Sequence, residues 1–242
     1  PGGTFAPDAS SLNPTYTTPA GYVGTITFTL TSDNSGTLCT EASDTHIVTI
    51  SPGPEVDAGN YDPICVDSSI SLKGSFGGTA SSITWTSSEG TFSDSTNPNT
   101  DFTPPAGFIG TITLTITTDD PAGSCEAISD TVNLEVLPLG EVDPLPDLDF
   151  CSTEVVPEVI FNSPNTTQTT NFEWEIDTNI GLTPLSGTGN LPGFTAENLT
   201  TTPVVATVTV TPIVTSGGTN CIGTPETFTI TVNPAPIILD TA

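Results

Sequence analysis

Self-similarity at a fixed offset constrains this chain more than any other feature. Tyr16-Thr17-Thr18-Pro19-Ala20-Gly21-Tyr22-Val23-Gly24-Thr25-Ile26-Thr27-Phe28-Thr29-Leu30 returns about 86 residues later as Phe102-Thr103-Pro104-Pro105-Ala106-Gly107-Phe108-Ile109-Gly110-Thr111-Ile112-Thr113-Leu114-Thr115-Ile116. The offset holds without a gap through Asp33/Asp119, Cys39/Cys125 and Ser43-Asp44-Thr45/Ser129-Asp130-Thr131. It crosses the next join, where Glu55-Val56-Asp57 matches Glu141-Val142-Asp143 and Cys65 matches Cys151. A period of this kind marks one structural unit used repeatedly, and its length is that of a small β-sandwich. A third copy diverges. Trp174 stands for Trp85 and Thr227–Val232 for Thr131–Val136, with longer spacings between these landmarks. The expected organisation is the C-terminal part of a truncated copy (1–52), a complete copy (53–138), a longer copy (139–236) and the start of a linker (237–242). The chain opens in mid-pattern, so it reads as an internal fragment. Pro52-Gly53-Pro54 and Pro138-Leu139-Gly140 punctuate the joins and are too short for flexible linkers.

Within each copy the pattern alternates with period two. Ile112, Leu114 and Ile116 are interleaved with Thr111, Thr113, Thr115 and Thr117; Ile26, Phe28 and Leu30, and later Phe228, Ile230 and Val232, behave alike. Such alternation puts aliphatic side chains on one face of a strand and threonines on the other. One dry face and one wet face suit antiparallel sheets packed against each other. A barrel is the alternative; one mid-copy Trp and the copy length favour an Ig-like sandwich. The expected fold is all-β, with tandem sandwiches forming a rod.

Charge narrows the partners. The chain has one Lys or Arg (Lys73) against 28 Asp and Glu, a formal charge of −27. Nucleic acid requires basic residues to neutralise phosphates, and an anionic membrane surface would repel this chain. No run approaches the about 20 apolar residues of a membrane span. The acidic surface reads as a solubilising one.

Five cysteines fit the copies unevenly. The expected bridges are Cys65–Cys125 and Cys151–Cys221, joining an early edge strand to the start of the last strand. Cys39 is then left unpaired by truncation of its copy. Bridges of this kind imply an oxidising, extracytoplasmic setting. His46 is the single histidine. In register with Val132 and Phe228 it reads as an inward packing residue, and alone it cannot assemble a histidine triad or a zinc site. Trp85 and Trp174 read as core pins rather than sugar platforms. Glu173 and Glu175 flank Trp174 and share the outer face of one strand, unlike carboxylates opposed across a glycosidase cleft. No cofactor is required. Glu55, Asp57, Asp119 and Asp120 are expected at one end of the second copy, where hard oxygens could gather Ca²⁺ at a junction. The third copy keeps Glu141 and Asp143, but its equivalent turn, Thr215–Asn220, has no acid.

Several segments carry a resemblance. Glu55-Val56-Asp57-Ala58-Gly59, Ile64-Cys65, Ser82-Ile83-Thr84-Trp85-Thr86, Gly90-Thr91-Phe92 and Cys125 followed by Asp130-Thr131-Val132 resemble the PKD-like/Ig-like repeats of SprB-type gliding adhesins of Bacteroidetes. Gly187-Thr188-Gly189-Asn190-Leu191-Pro192-Gly193-Phe194 and Thr229-Ile230-Thr231-Val232-Asn233-Pro234 resemble related PKD-like domains of the same proteins. The resemblance implies a long extracellular filament, anchored at the outer membrane and exported by the type IX secretion system. Its implied partners are neighbouring repeats, the secretion and gliding machinery, and a surface polysaccharide or substratum. A spacer or carbohydrate-binding module of a secreted polysaccharide-degrading enzyme is the second reading.

Overall fold

The structure is a computed structural model that describes residues 2–33, 40–121 and 125–235. Cys39 and the linker 237–242 therefore lie outside the described residues. Every regular element among the described residues is a strand, and none is a helix long and apolar enough to cross a membrane. The chain divides into two compact units. One comprises Pro1–Val56, Phe76–Ile83 and Thr117–Ser129; the other comprises Asp57–Ser75, Thr84–Ile116 and Asp130–Ala242.

The first unit is built on two hairpins. Strands β1 (Thr4–Ala6) and β2 (Thr15–Thr17) pair antiparallel, as do β3 (Gly24–Thr31) and β4 (Ser43–Ile50), which run in register from Gly24↔Ile50 to Thr31↔Ser43. The inward side of β3 buries Ile26 and sets Phe28 against Tyr16 and Phe5, with ring centroids 5.1 and 6.2 Å away. His46, paired across from Phe28, is exposed rather than packed. Two three-residue strands cover too little of the β3–β4 face to enclose it, and Leu30 on the same face is also 78% exposed.

The second copy supplies β5 (Pro54–Asp57), β6 (Ile64–Cys65), β7 (Ile70–Ser71), β8 (Ser75–Gly78), β9 (Ile83–Ser87), β10 (Thr91–Phe92), β11 (Asp101–Thr103), β12 (Gly110–Thr118) and β13 (Ser129–Leu137). One sheet has the order β6-β13-β12-β9 and another β10-β11-β7. Ile112, Leu114 and Ile116 of β12 and Leu134 and Val136 of β13 are buried while Thr111 and Thr113 are exposed, as the alternation requires. Trp85 of β9 stacks on Phe92 of the facing sheet at 6.2 Å, and Phe92 meets Phe102 at 5.0 Å. This aromatic seam closes a two-sheet sandwich.

The third copy supplies β14 (Leu148–Cys151), β15 (Val155–Val156), β16 (Thr170–Ile176), β17 (Ser186–Thr188), β18 (Phe194–Thr195), β19 (Val204–Ser216), β20 (Thr219–Ile222) and β21 (Glu226–Asn233). Its main sheet has the order β14-β21-β19-β16-β17, with β20 paired to the far end of β19. Trp174, Val208, Val210, Phe228 and Ile230 form its inner face and pack with Phe161, Ile180 and Leu191 from the loops opposite. The fold is all-β, as the alternation of threonine and aliphatic residues requires.

Candidate functional site: a cystine joint

The feature with the most chemistry joins the second and third copies, within the second compact unit. Strand β6 is only two residues long and runs parallel to the end of β13, pairing Ile64 with Val136 and Cys65 with Leu137. That places Cys65 where the last strand of its copy finishes. Strands β19 and β20 form a hairpin whose turn residues, Gly217 and Gly218, have φ of 55° and 86°. A two-residue turn with both φ positive matches the right-handed twist of its strands, and glycine supplies it at no steric cost. The hairpin sets Cys221 opposite Val214, fully buried.

Cys65 and Cys221 are joined by a disulfide, with Cα atoms 5.5 Å apart and a sequence separation of 156. Leu137, Val214 and Cys221 form a small buried cluster against Cys65. Polar contacts surround it. Thr219 Oγ1 donates to the Pro63 carbonyl at 2.7 Å, Ser216 Oγ to Glu135 at 3.1 Å, and Gln168 Nε2 to the other oxygen of Glu135 at 3.0 Å. The Gly140 N–H donates to the Cys221 carbonyl at 3.1 Å. Gly140 lies so close to the Pro212 backbone that a Cβ there would overlap it. In the chain-entropy model a loop of this length stabilises by about 5 kcal/mol.

This pairing corrects the expected bridges, Cys65–Cys125 and Cys151–Cys221. Cys125 precedes β13, whereas Cys65 lies beside its last residue, so a nine-residue strand intervenes. In the third copy Cys151 lies beside Asn233 at the end of β21, and Cys221 precedes that strand. In the third copy the length of β21 alone, at about 3.3 Å per residue, would separate the pair by roughly 25 Å, far beyond the about 7 Å limit between bridged Cα atoms. Among the described residues, Cys125 and Cys151 have no disulfide partner. The error lay in the direction of the early strand, which is parallel to the end of the last strand rather than set at its start.

The other candidate residues fall into place around this joint or away from it. Trp85 and Trp174 are 1% and 5% exposed, so neither presents a ring to a sugar. Glu173 and Glu175 are exposed neighbours on β16, beside Thr211 and Thr209 of β19 and Thr188 and Ser186 of β17. They line a groove of about 400 Å³ without facing each other across it. Among the described residues, no three Asp, Glu, His or Cys side chains gather to hold a metal ion. Asp119 instead accepts the Ser81 and Ser82 N–H groups at 2.8 and 3.1 Å and the Ser81 hydroxyl. The Ser81 hydroxyl first, then these N–H groups, hold its carboxyl below the usual aspartate value. Asp57 accepts the Gly59 N–H at 2.8 Å; Glu55 and Asp120 are exposed.

No family model matches the chain, and no curated protein matches it. Solved structures similar to it include tandem modules. Fibronectin(III)-like modules of Clostridium thermocellum CbhA are 12% identical, covering 78% of this chain and 98% of that one, with a TM-score of 0.35. Mouse cadherin-23 EC22-24 is 14% identical, covering 95% and 81%, with a TM-score of 0.37. Rst D1-D2 is 9% identical, covering 75% and 99%, with a TM-score of 0.43.

Proposed function

We propose that the chain is a non-enzymatic segment of a large cell-surface filament, in which successive β-sandwich repeats stack as a rod that serves attachment and gliding motility. The observation that carries this reading is the Cys65–Cys221 bridge. It locks one copy to the next through a bond that tension along the chain cannot slide apart. A joint that holds successive copies together under load suits a filament segment. The disulfide also supports an oxidising, extracellular location. The charge of −27 supports a long-lived soluble surface with no nucleic-acid partner. The resemblance to SprB-type repeats supplies the finer part of the proposal: type IX export, outer-membrane attachment, and a substratum or surface polysaccharide as the gripped partner.

The experiment is protease shaving of intact cells that produce the chain, coupled to an attachment assay. Shaving is expected to release the chain without lysis, and Fab fragments raised against it to reduce attachment several-fold. A chain protected until lysis, or attachment unchanged by saturating Fab, defeats the proposal. A glycan array separates the second reading. Selective capture of one polysaccharide, with a catalytic domain in the same reading frame, would replace the filament with a module of a secreted enzyme.

A further inference from the structure

Cys151 stands in the same backbone setting as Cys65. Each closes a short strand parallel to the last strand of its own copy, Cys65 beside Leu137 and Cys151 beside Asn233. The turn that follows is reproduced bond for bond. The Val66 N–H donates to the Leu137 carbonyl and the Ser152 N–H to the Asn233 carbonyl, both at 2.8 Å. The Ser68 N–H donates to the Cys65 carbonyl and the Glu154 N–H to the Cys151 carbonyl, both at 3.1 Å. Asp67 and Thr153, the equivalent residues within these turns, both hold positive φ, 60° and 78°. Non-glycine residues adopt that region uncommonly, so its recurrence at one register position marks a built feature. One difference remains: Cys65 is bonded to the following copy, and Cys151 is an exposed free thiol. Val155 and Leu199, 72% and 88% exposed, stand at this same end of the third copy.

We propose that Cys151 is half of a second joint, and that its partner is the cysteine equivalent to Cys221 in a further copy of this repeat placed after the third. Cys125 matches Cys221 in the sequence register, at the same offset as Thr131 to Thr227, and so carries the opposite half. Each copy then bonds forward through its early cysteine and backward through its late one. No copy needs an internal bridge. Formation follows ordinary thiol–disulfide exchange. Two thiols lose two protons and two electrons to a disulfide oxidant, a thiol oxidoreductase in its oxidised form or oxidised glutathione, which leaves as two thiols. This inference goes beyond the filament reading and does not require adhesion.

The test is the full chain extended after Pro236 by a second copy of residues 139–236, refolded in a buffer with oxidised glutathione; in the appended copy Cys151→Ser removes its early cysteine and Ile222→Val, at a 57% exposed position, gives its late-cysteine peptide a distinct mass. With a single Lys or Arg in the chain, disulfides are mapped by peptic digestion and mass spectrometry. The expected result is a peptide joining Cys151 to the appended copy's late cysteine, alongside Cys65–Cys221. Cys151 joined to Cys221, joined to Cys151 of another molecule, or recovered as a free thiol in the folded extended chain overturns the proposal. Should the extension fail to fold, the 242-residue chain supplies a second measurement. Iodoacetamide under native conditions is expected to label Cys151 by one carbamidomethyl mass and to leave Cys65 and Cys221 unlabelled until reduction. A Cys151 that resists labelling, or a Cys151–Cys221 peptide, overturns it equally.

Discussion

At Trp85 the alternation of β9 turns the indole inward, where it stacks on Phe92 and donates from Nε1 to the Pro98 carbonyl at 3.4 Å. Replacing so large a buried ring by methyl leaves a cavity that a packed sandwich cannot refill. Trp85→Ala is expected to cost about 3–5 kcal/mol, read from the urea midpoint of the full chain. Asp147 acts at the surface. Its Oδ1 accepts the Thr229 N–H at 2.7 Å and the Thr229 hydroxyl at 2.8 Å, tying the segment before β14 to β21. The Thr229 N–H first, and then its hydroxyl, hold the Asp147 carboxyl below the usual aspartate value. A folded value below the unfolded one stabilises the fold above the unfolded value, and that contribution fades as pH falls through the folded value. Asp147→Asn is therefore expected to lower the melting temperature at pH 7 and to lose that deficit as the pH falls below about 4. A deficit that is constant with pH would show that charge is not what Asp147 contributes. Both tryptophans were legible in the sequence because period-two alternation decides facing. His46 was read in the correct phase of its strand, but alternation says nothing about whether a second sheet covers it.

Strands long enough to alternate, such as β12, β19 and β21, declared themselves in sequence. The elements that set the cysteine pairing did not. Strand β6 has two residues and β14 four, and runs that short carry almost no period. Their parallel direction beside the last strand decides which end each early cysteine occupies. The same end is fixed by a second device. Asn198, 7% exposed, donates from Nδ2 to the Val232 carbonyl at 2.7 Å and the Thr202 carbonyl at 2.9 Å, while its Oδ1 accepts from Thr200. It thereby pins the start of β19 to the end of β21. Asn198→Ala would leave the buried Val232 carbonyl without this donor, at an expected cost of about 1–3 kcal/mol. Hydrogen exchange should show the loss of protection concentrated at the ends of β14, β19 and β21. Uniform loss across the chain would mean that Asn198 serves folding generally rather than this end.

For the whole molecule the bridge sets the path of force. Tension entering from the N-terminal side reaches Cys65, crosses the disulfide to Cys221 and leaves through β21, so the residues between carry none of it. With a separation of 156 residues at about 3.3–3.6 Å each, the shielded contour is roughly 500 Å. Pulling the chain from its ends is expected to extend only the flanking residues under oxidising conditions. Reduction should then add one release of roughly 500 Å of hidden contour, less the folded span. Had each copy closed its own loop, 65 to 125 and 151 to 221, reduction would instead release two separate lengths, roughly 200 and 240 Å. Two such steps would contradict the observed joint, and no change on reduction would remove the bridge from the mechanical account. The single long release is the signature of copies stapled to each other rather than to themselves. A chain stapled this way does not lengthen by unfolding between Cys65 and Cys221 until that cystine is reduced.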